Sequence, residues 1–134
     1  MTTNILVIDD DPTDVLFLKR AFEEIKSDTA LHHVEHGHNV LDELDNRPID
    51  LILLDIKMPG TDGFEVLQII RGDVAGRVTP VIMLSSSSAD EDVKRSYIRG
   101  ANSYAEKPST RDGYRAFAEA FTGFWIKTAV TPAV

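Results

Sequence analysis

The chain of 134 residues contains no cysteine, so it can form no disulfide and no thiolate metal site, and it offers no thiol nucleophile. It has no apolar run near the roughly 20 residues that a membrane-spanning helix needs, and its first residues show no signal-peptide pattern. Basic residues are scarce, because 14 of them face 22 acidic residues and the formal net charge is −8. Such an excess of negative charge opposes binding to nucleic acids and to anionic membranes. These absences, with the length, predict one soluble cytoplasmic domain that binds neither nucleic acid nor membrane.

Four short strand-like segments each lead into a polar residue suited to phosphate or metal chemistry. Three of them, the apolar runs at 5–8, 51–54 and 81–84, are continuous rather than alternating, which is typical of strands that helices cover on both faces. The fourth segment is 104–106. The carboxyl ends of parallel strands meet at one edge of a sheet, and open α/β sheets bind their ligands there. The residues that the sequence would gather at this edge are Asp9 and Asp10, Asp55, Ser85 and Lys107.

Segments with helical periodicity separate the strands, so the chain consists of five repeats of strand then helix. Asp11 and Pro12 are typical of the cap and first position of a helix, and the segment 88–91 forms a capping box that predicts the start of the fourth helix at Ser88. Right-handed crossovers would arrange these repeats as an α/β fold, a doubly wound parallel sheet with five flanking helices. We expect the flavodoxin-like strand order 2-1-3-4-5, in which the acids after strands 1 and 3 share a crevice.

Three carboxylates in one crevice repel one another unless a pKa rises or a cation joins them. Oxygen-only donors suit Mg²⁺ or Mn²⁺ better than zinc. An aspartate can attack phosphorus to form an aspartyl phosphate, and transfer then depends mainly on positioning and charge neutralisation. In this scheme a metal ion would hold one phosphoryl oxygen, Lys107 a second, and the Ser85 hydroxyl a third.

Taken in order, these motifs resemble the receiver domain of two-component response regulators. The resemblance covers about residues 4–124, nearly the whole chain. The matching pieces are the acidic end of the first strand at 5–10, the third strand at 50–55, the segments Met58-Pro59-Gly60 and Asp62-Gly63, the fourth strand at 80–85, Gly100-Ala101 and Lys107-Pro108.

The resemblance implies a phosphoacceptor and a metal site. It assigns Asp55 as the phosphoacceptor and makes Asp10 and Asp55 carboxylate ligands of Mg²⁺ or Mn²⁺. The backbone carbonyl of Lys57 would be a third ligand, and Asp9 would act through a water molecule.

The resemblance also implies a switch. Lys107 would pair with the phosphoryl group, Ser85 would be the switch hydroxyl and Tyr104 the switch aromatic. The peptide bond that precedes Pro108 is expected to be cis, as it is in the family.

The function that this resemblance implies is phosphorelay signalling. The chain would take a phosphoryl group from a phosphohistidine of a sensor histidine kinase, or exchange it with a histidine phosphotransfer protein, and would then change its protein contacts. It would catalyse only its own Mg²⁺-dependent phosphorylation and dephosphorylation. Two alternatives stay open: a phosphatase with an aspartyl nucleophile, which would usually carry an acid where Lys57 stands, and a pseudo-receiver that binds partners without phosphorylation.

The C-terminal end is longer than a minimal receiver needs. We divide the chain into a receiver domain at 1–127 and an extension at 128–134, which we interpret as a dimerisation arm. The aromatic end is similar to small stand-alone receivers that partner bacterial phytochrome histidine kinases, which implies a homodimer. A two-fold contact is the commonest way to bury such a surface, and the residues assigned to it are Phe121, Phe124, Trp125 and Ile126.

Four histidines between residues 32 and 38 invite a metal-site interpretation. His32 and His33 are neighbours on a predicted strand and so point to opposite faces of the sheet. No acid or thiol at ligand spacing completes a site with them, and we expect solvated or locally hydrogen-bonded side chains at His32, His33, His36 and His38.

Overall fold

The computed structural model describes residues 1–132 and contains a five-stranded parallel sheet. Its strands are β1 (Thr3–Ile8), β2 (Thr29–Val34), β3 (Leu51–Leu54), β4 (Val81–Ser85) and β5 (Ser103–Glu106). They pair in the order β2-β1-β3-β4-β5, and every pair in this sheet is parallel. The predicted fold class and strand order are therefore confirmed.

Helices follow the strands in alternation. Within residues 1–132 they are α1 (Pro12–Glu24), α2 (Val40–Asn46), α3 (Gly63–Gly72), α4 (Asp90–Ile98) and α5 (Arg111–Phe121). A 3₁₀ turn at Gly37–Asn39 precedes α2, and a π-helical turn at Thr122–Ile126 continues α5. Across the same residues, no helix has both the length and the apolar character required to cross a bilayer.

The sheet separates two apolar clusters. Alternate strand residues such as Ile8 and Leu54 pack with α2 and α3 on one face, whereas Val7 and Leu53 pack with α1 and α5 on the other. Every residue of β3 and β4 is buried. Burial on both faces explains why these strands appear in the sequence as continuous apolar runs.

The start of α1 agrees with the sequence. The Asp11 carboxylate accepts hydrogen bonds from the backbone N–H of Thr13, at 2.9 Å, and of Asp14, at 3.4 Å, and Pro12 occupies the first helical position. An acid in this role satisfies N–H groups that the first helical turn leaves without partners. Asp11 is therefore a helix cap, as predicted.

The start of α4 differs from the prediction. The capping residue is Ala89, and no side chain caps the helix at that position, so the proposed capping box at Ser88 is wrong. Instead, the Ser87 hydroxyl accepts from the Ala89 N–H at 3.3 Å and donates to the Asp92 carboxylate at 2.6 Å. The helix begins one residue later than expected, and the hydroxyl of Ser87 lies near its start.

A small hairpin between β3 and α3 was not predicted. Lys57–Met58 pairs antiparallel with Thr61–Asp62, and the turn between them passes through Gly60 at a φ of +74°, which glycine adopts readily. The Asp62 carboxylate then accepts from the Phe64 N–H at 2.9 Å and caps α3. The hairpin therefore leads directly from the site into the next helix.

The C-terminal turn folds back onto its own domain. Trp125 and Ile126 are half-buried and pack on the cluster between α1 and α5, so part of their apolar surface is covered within the protomer itself. Phe121 is only 4% exposed and belongs to the same core, whereas Phe124 is 54% exposed. Two residues of the extension proposed at 128–134, numbers 133 and 134, lie outside the described residues.

Peptide geometry differs from the expectation at one position. Among residues 1–132 every peptide bond is trans. The expected cis bond before Pro108 is therefore wrong for this structure.

Candidate functional site

Three acids meet at the carboxyl edge of the sheet, as the sequence predicts. β1 and β3 are adjacent, with Ile8 opposite Leu54, so the residues that follow them are neighbours. One carboxylate oxygen from each of Asp9, Asp10 and Asp55 lies within 4.8 Å of the other two. Asp9 is 3% exposed and Asp55 6% exposed, while Asp10 is half-buried.

Backbone N–H groups fix the orientation of the two buried carboxylates. Asp55 Oδ1 accepts from the Ile56 N–H at 2.8 Å, and Asp9 Oδ1 accepts from the Asp11 N–H at 2.9 Å. Their second oxygens, both Oδ2, face the ammonium of Lys107. The turns after β1 and β3 thus aim both acids at one point.

Lys107 joins the acids from the far side of the cluster. Its backbone N–H donates to the Ser85 carbonyl at 2.8 Å, which continues the pairing of β4 with β5. Its Nζ lies 2.8 Å from Asp9, 2.8 Å from Asp14 and 3.2 Å from Asp55. An ammonium has three donors, so three carboxylates engage all of them.

Asp14 is the site residue that sequence reasoning missed. It lies in the first turn of α1 and looks like an ordinary acid at a helix start. Its carboxylate also accepts from the Tyr114 hydroxyl of α5 at 3.3 Å. The signal that could have identified it is its position in the helix directly after the acidic loop.

Burial decides the electrostatics of the acids. It raises the pKa of both Asp9 and Asp55, and the bonds from Lys107 offset only part of that rise. Burial alone would lower the pKa of Lys107, but its hydrogen bonds to Asp14 and Asp9 outweigh this effect and the pKa is raised. Burial, together with the Asp14 charge, raises the pKa of Tyr114 to about 12. Lys107 therefore stays protonated beside two carboxyl groups whose ionised form is disfavoured by burial.

The two predicted switch residues are connected through the loop after β4. The buried Ser85 hydroxyl accepts from the Ser87 N–H at 3.2 Å. The half-buried Tyr104 donates its hydroxyl hydrogen to the Ser87 carbonyl at 2.7 Å. Ser87 therefore contacts both side chains, although Ser85 and Tyr104 belong to different strands.

A surface cleft of about 690 Å³ opens beside the acids. Its lining includes Asp10 and Lys57 on one side and Asp92 and Arg95 of α4 on the other. Arg95 lies 4.2 Å above the Phe64 ring, a cation–π distance. Of the three acids, Asp10 lines this cleft, so the acidic cluster is open to solvent on that side.

The donor set fits a hard divalent cation. The acids supply carboxylate oxygens only, as Mg²⁺ and Mn²⁺ prefer. Lys57, whose backbone carbonyl is the expected third ligand, lines the same cleft as Asp10. The cation would add positive charge where burial disfavours the ionised acids.

The predicted dimer residues lie far from this edge. Trp125 and Ile126 line a groove with Thr3 and Asn4, at the amino end of β1. The acids follow the carboxyl ends of β1 and β3, so the two regions are at opposite ends of the sheet.

Three of the four histidines hydrogen-bond to residues distant in the sequence, and His36 is exposed. His33 Nε2 lies 2.7 Å from the Asp9 carbonyl, which makes that nitrogen the donor. His32 Nε2 is 3.0 Å from Asn4 Oδ1, and His38 Nε2 is 3.3 Å from Thr61 Oγ1. His33 thereby ties β2 to the acidic loop.

The chain matches a known protein family over most of its length. The family model described as response regulator receiver domain matches residues 5–118. The chain is 30% identical to the probable methanogenesis regulatory protein FilR2 of Methanothrix harundinacea, over 91% of this chain and 83% of that protein. It is 34% identical to the heme response regulator HssR of Staphylococcus epidermidis, over 78% of this chain but only 45% of HssR. The chain thus spans most of the first relative and less than half of the second.

Solved structures resemble the whole chain. The Mn²⁺-bound form of the response regulator Rcp1 superposes with a TM-score of 0.85 at 28% identity, covering 98% of this chain and 99% of that one. The phosphorylated cyanobacterial phytochrome response regulator RcpA gives 0.89 at 26% identity, covering 99% and 100%. A response regulator in red light signaling of R. palustris gives 0.87 at 29% identity, covering 98% and 99%.

Proposed function

Because the chain belongs to the receiver-domain family of response regulators, we propose that it accepts a phosphoryl group on Asp55 from a phosphohistidine. The donor is a sensor histidine kinase or a histidine phosphotransfer protein. The observation that carries this proposal is the position of the Asp55 carboxylate, oriented by the Ile56 N–H and placed 3.2 Å from the Lys107 ammonium. A buried carboxylate with a fixed cation beside it suits attack on phosphorus.

The transfer is a displacement at phosphorus. A carboxylate oxygen of Asp55 forms the new P–O bond while the P–N bond of the phosphohistidine breaks, and the leaving imidazole nitrogen takes a proton from solvent. Lys107 pairs with one phosphoryl oxygen, and the Ser85 hydroxyl, at the end of β4, donates to another. Asp10, Asp55 and the Lys57 carbonyl would hold Mg²⁺ or Mn²⁺, with Asp9 acting through water. The bound cation supplies charge neutralisation for the phosphoryl oxygens.

The same site would act as a switch. A phosphoryl group on Asp55 gives Ser85 a new acceptor, so its hydroxyl moves and the bond from the Ser87 N–H is disturbed. Because the Ser87 carbonyl also holds the Tyr104 hydroxyl, the ring responds to occupancy. The surface of α4, β5 and α5 then changes its preference for partners, as in other switches driven by one local charge.

A phosphatase is the weaker alternative. Lys57 follows Asp55 by two residues and its side chain is exposed, where an acid would be needed to protonate a leaving group and activate water. A pseudo-receiver is weaker still, because the acids, Ser85 and Lys107 converge at one edge. We therefore place the chain among signalling modules rather than turnover enzymes.

We further infer a bacterial phytochrome kinase as the donor, supported by the similarity to RcpA and to the R. palustris regulator. We retain the proposed homodimer, with the receiver at 1–127 and the extension at 128–134 as its arm. Its support is the exposed ring of Phe124. Within the protomer this ring packs edge-on against Trp125, with 5.1 Å between the ring centroids. The net charge of −8 favours protein partners over nucleic acid or membrane, and we retain the cytoplasm as the proposed location.

The test is intact mass after incubation with Mg²⁺ and a small phosphodonor such as phosphoramidate. The wild type should gain one phosphoryl group, whereas Asp55→Asn, or wild type with a chelator, should gain none. Equal labelling of Asp55→Asn would contradict the proposal. Sustained multiple turnover of an added phosphomonoester would favour the phosphatase instead.

A further inference from the structure

The ammonium of Lys107 is shared with an acid that has no part in the proposed transfer. Asp14 lies 2.8 Å from Lys107 Nζ, whereas the proposed phosphoacceptor Asp55 lies 3.2 Å away. The Lys107 side chain is only 10% exposed, so solvent screens this pairing weakly. Bonds between an ammonium and a carboxylate are charge-assisted and about twice as strong as neutral ones.

Asp14 is itself held in place by the fold. Its Oδ1 accepts from the Tyr114 hydroxyl at 3.3 Å, and its N–H donates to the Asp11 cap at 3.4 Å. It lies in the first turn of α1, where the helix dipole favours a negative charge. The contact between α1 and α5 therefore keeps an anion beside the ammonium before any phosphoryl group arrives.

A phosphoryl group on Asp55 needs the same ammonium. All three donors of Lys107 face carboxylates, and two of those, Asp9 and Asp14, are the nearer ones. To pair fully with a phosphoryl oxygen, the ammonium has to move away from α1. The carboxylate of Asp14 opposes that movement at all times.

We propose that Asp14 is a positioning residue for Lys107, a competing anion that holds the ammonium toward α1 and weakens its pairing with a phosphoryl group on Asp55. This inference rests on the proposed function of Asp55. The contact between α1 and α5 then partly determines how strongly Lys107 pairs with a phosphoryl group on Asp55. Loosening of that contact, for example by a partner that binds α1, would release Lys107 and favour the occupied site.

The test compares the affinity of variants for fluoroberyllate, a stable mimic of a phosphoryl group on a carboxylate, at saturating Mg²⁺. Asp14→Asn should bind fluoroberyllate about tenfold more tightly than wild type. The Lys107 ammonium is then no longer shared with an anion at position 14 and can make a full charge-assisted bond to the mimic. Asp14→Glu, which restores the charge, should return toward the wild-type affinity. Tyr114→Phe removes only a bond to Asp14 and should tighten binding by a smaller factor.

Asp11→Asn is the matched control. It removes one negative charge from the same loop and keeps a good capping residue, and the Asp11 side chain makes its hydrogen bonds to Thr13 and Asp14 N–H groups rather than to Lys107. Its affinity should stay near that of wild type. The second control is Asp14→Asn in a Lys107→Gln background, where the gain should be largely lost.

Four outcomes would overturn the inference. Unchanged or weaker binding by Asp14→Asn would mean that Asp14 supports Lys107 or plays only a structural part. An equal gain in Asp11→Asn, or an undiminished gain without Lys107, would mean a general charge effect. If wild type gains no phosphoryl group and binds no fluoroberyllate, the proposed function fails and this inference fails with it.

Discussion

At the scale of single residues, the site holds three like-charged acids close together with the ammonium of Lys107 beside them. Asp9 and Asp55 are buried, Lys107 is the counter-charge that pairs with both among residues 1–132, and burial raises the pKa of each. Buried ions of this kind cost stability unless their partners compensate fully. The fold therefore gives up stability to keep a reactive carboxylate beside a cation.

Asp55→Asn should consequently stabilise the metal-free protein at neutral pH. The pKa of Asp55 is raised in the folded state, so the folded protein binds more protons than the unfolded chain above pH 3.8 and up to the raised pKa. Stability contributed by this group is thus lost as pH rises through that window. We expect the variant to gain about 1 kcal/mol at pH 7 and nothing at the acid end of the window.

Urea unfolding in a chelator at several pH values measures this difference. Asp45→Asn, a change at an exposed acid of α2, is the control and should give no gain at any pH. A loss of stability in Asp55→Asn at neutral pH would show that the bonds from Lys107 and Ile56 outweigh burial.

At the scale of elements, the position of α3 constrains the backbone at Asp55, the proposed phosphoacceptor. Gly63 opens α3 and donates its N–H to the Ile56 carbonyl at 2.7 Å. A Cβ at Gly63 would lie 2.1 Å from the Asp55 carbonyl oxygen and 2.6 Å from Ile56 Cα. Backbone meets backbone here, so no side chain can move aside to make room.

Gly63→Ala should therefore cost about 3 kcal/mol of unfolding free energy, an overpacking cost, and should slow labelling of Asp55. Gly72→Ala lies in the last position of the same helix, where a Cβ meets nothing within 4 Å. That control should gain up to about 0.5 kcal/mol, since alanine is the better helix former. Chemical denaturation and the rate of Asp55 labelling are measured for both variants. A Gly63→Ala variant as stable as Gly72→Ala would contradict the close backbone approach at Gly63.

The sequence predicts this level of structure well where local rules apply. Continuous apolar runs and the Asp11 cap identified β1, β3, β4 and the start of α1, because burial on both faces and helix capping leave local signals. The hairpin before α3 was missed because strands of two residues have no periodicity. The cap of α4 was misplaced because Ser88 and Glu91 match a capping box locally, whereas the path of the loop delays the helix start by one residue and makes Ala89 the capping residue.

The site was predictable in its strand ends and not in its packing. Parallel pairing brings residues after β1, β3, β4 and β5 to one edge, so Asp9, Asp55 and Lys107 follow from topology. Asp14 reaches the same ammonium from α1, and its second hydrogen-bond partner, the Tyr114 hydroxyl, lies on α5. The placement of α1 beside Lys107 has no signature in the local residues, and the sequence offers only the position of Asp14 directly after the acidic loop.

At the scale of the whole molecule, the C-terminal turn divides its aromatic residues between the core and the surface. Phe121 and Trp125 pack inward, and the ring of Phe124 lies outside at 54% exposure. A single exposed aromatic is a small surface for a dimer, so the described part of the extension would have to add to it. The proposal of a homodimer therefore depends mainly on Phe124.

Phe124→Ala should weaken self-association in sedimentation experiments and leave the unfolding free energy nearly unchanged. Trp125→Ala should weaken both, with a loss of about 2 kcal/mol in stability, because half of that side chain packs in the protomer's own core. Phe17→Ala changes an exposed aromatic of α1 and is the control, which should leave self-association unchanged. A wild type that stays monomeric at tens of micromolar would contradict the dimer.

The central claim is that Asp55 carries the phosphoryl group, and the most direct test locates the modification within the chain. Hydride reduction of an aspartyl phosphate converts its side-chain carboxyl to a primary alcohol, which peptide mass spectrometry can locate after labelling with Mg²⁺ and phosphoramidate. We expect the alcohol at position 55 and at no other acid of the cluster. Reduction at Asp9, Asp10 or Asp14, or no reduction at a protein that has gained phosphoryl mass, would contradict the account.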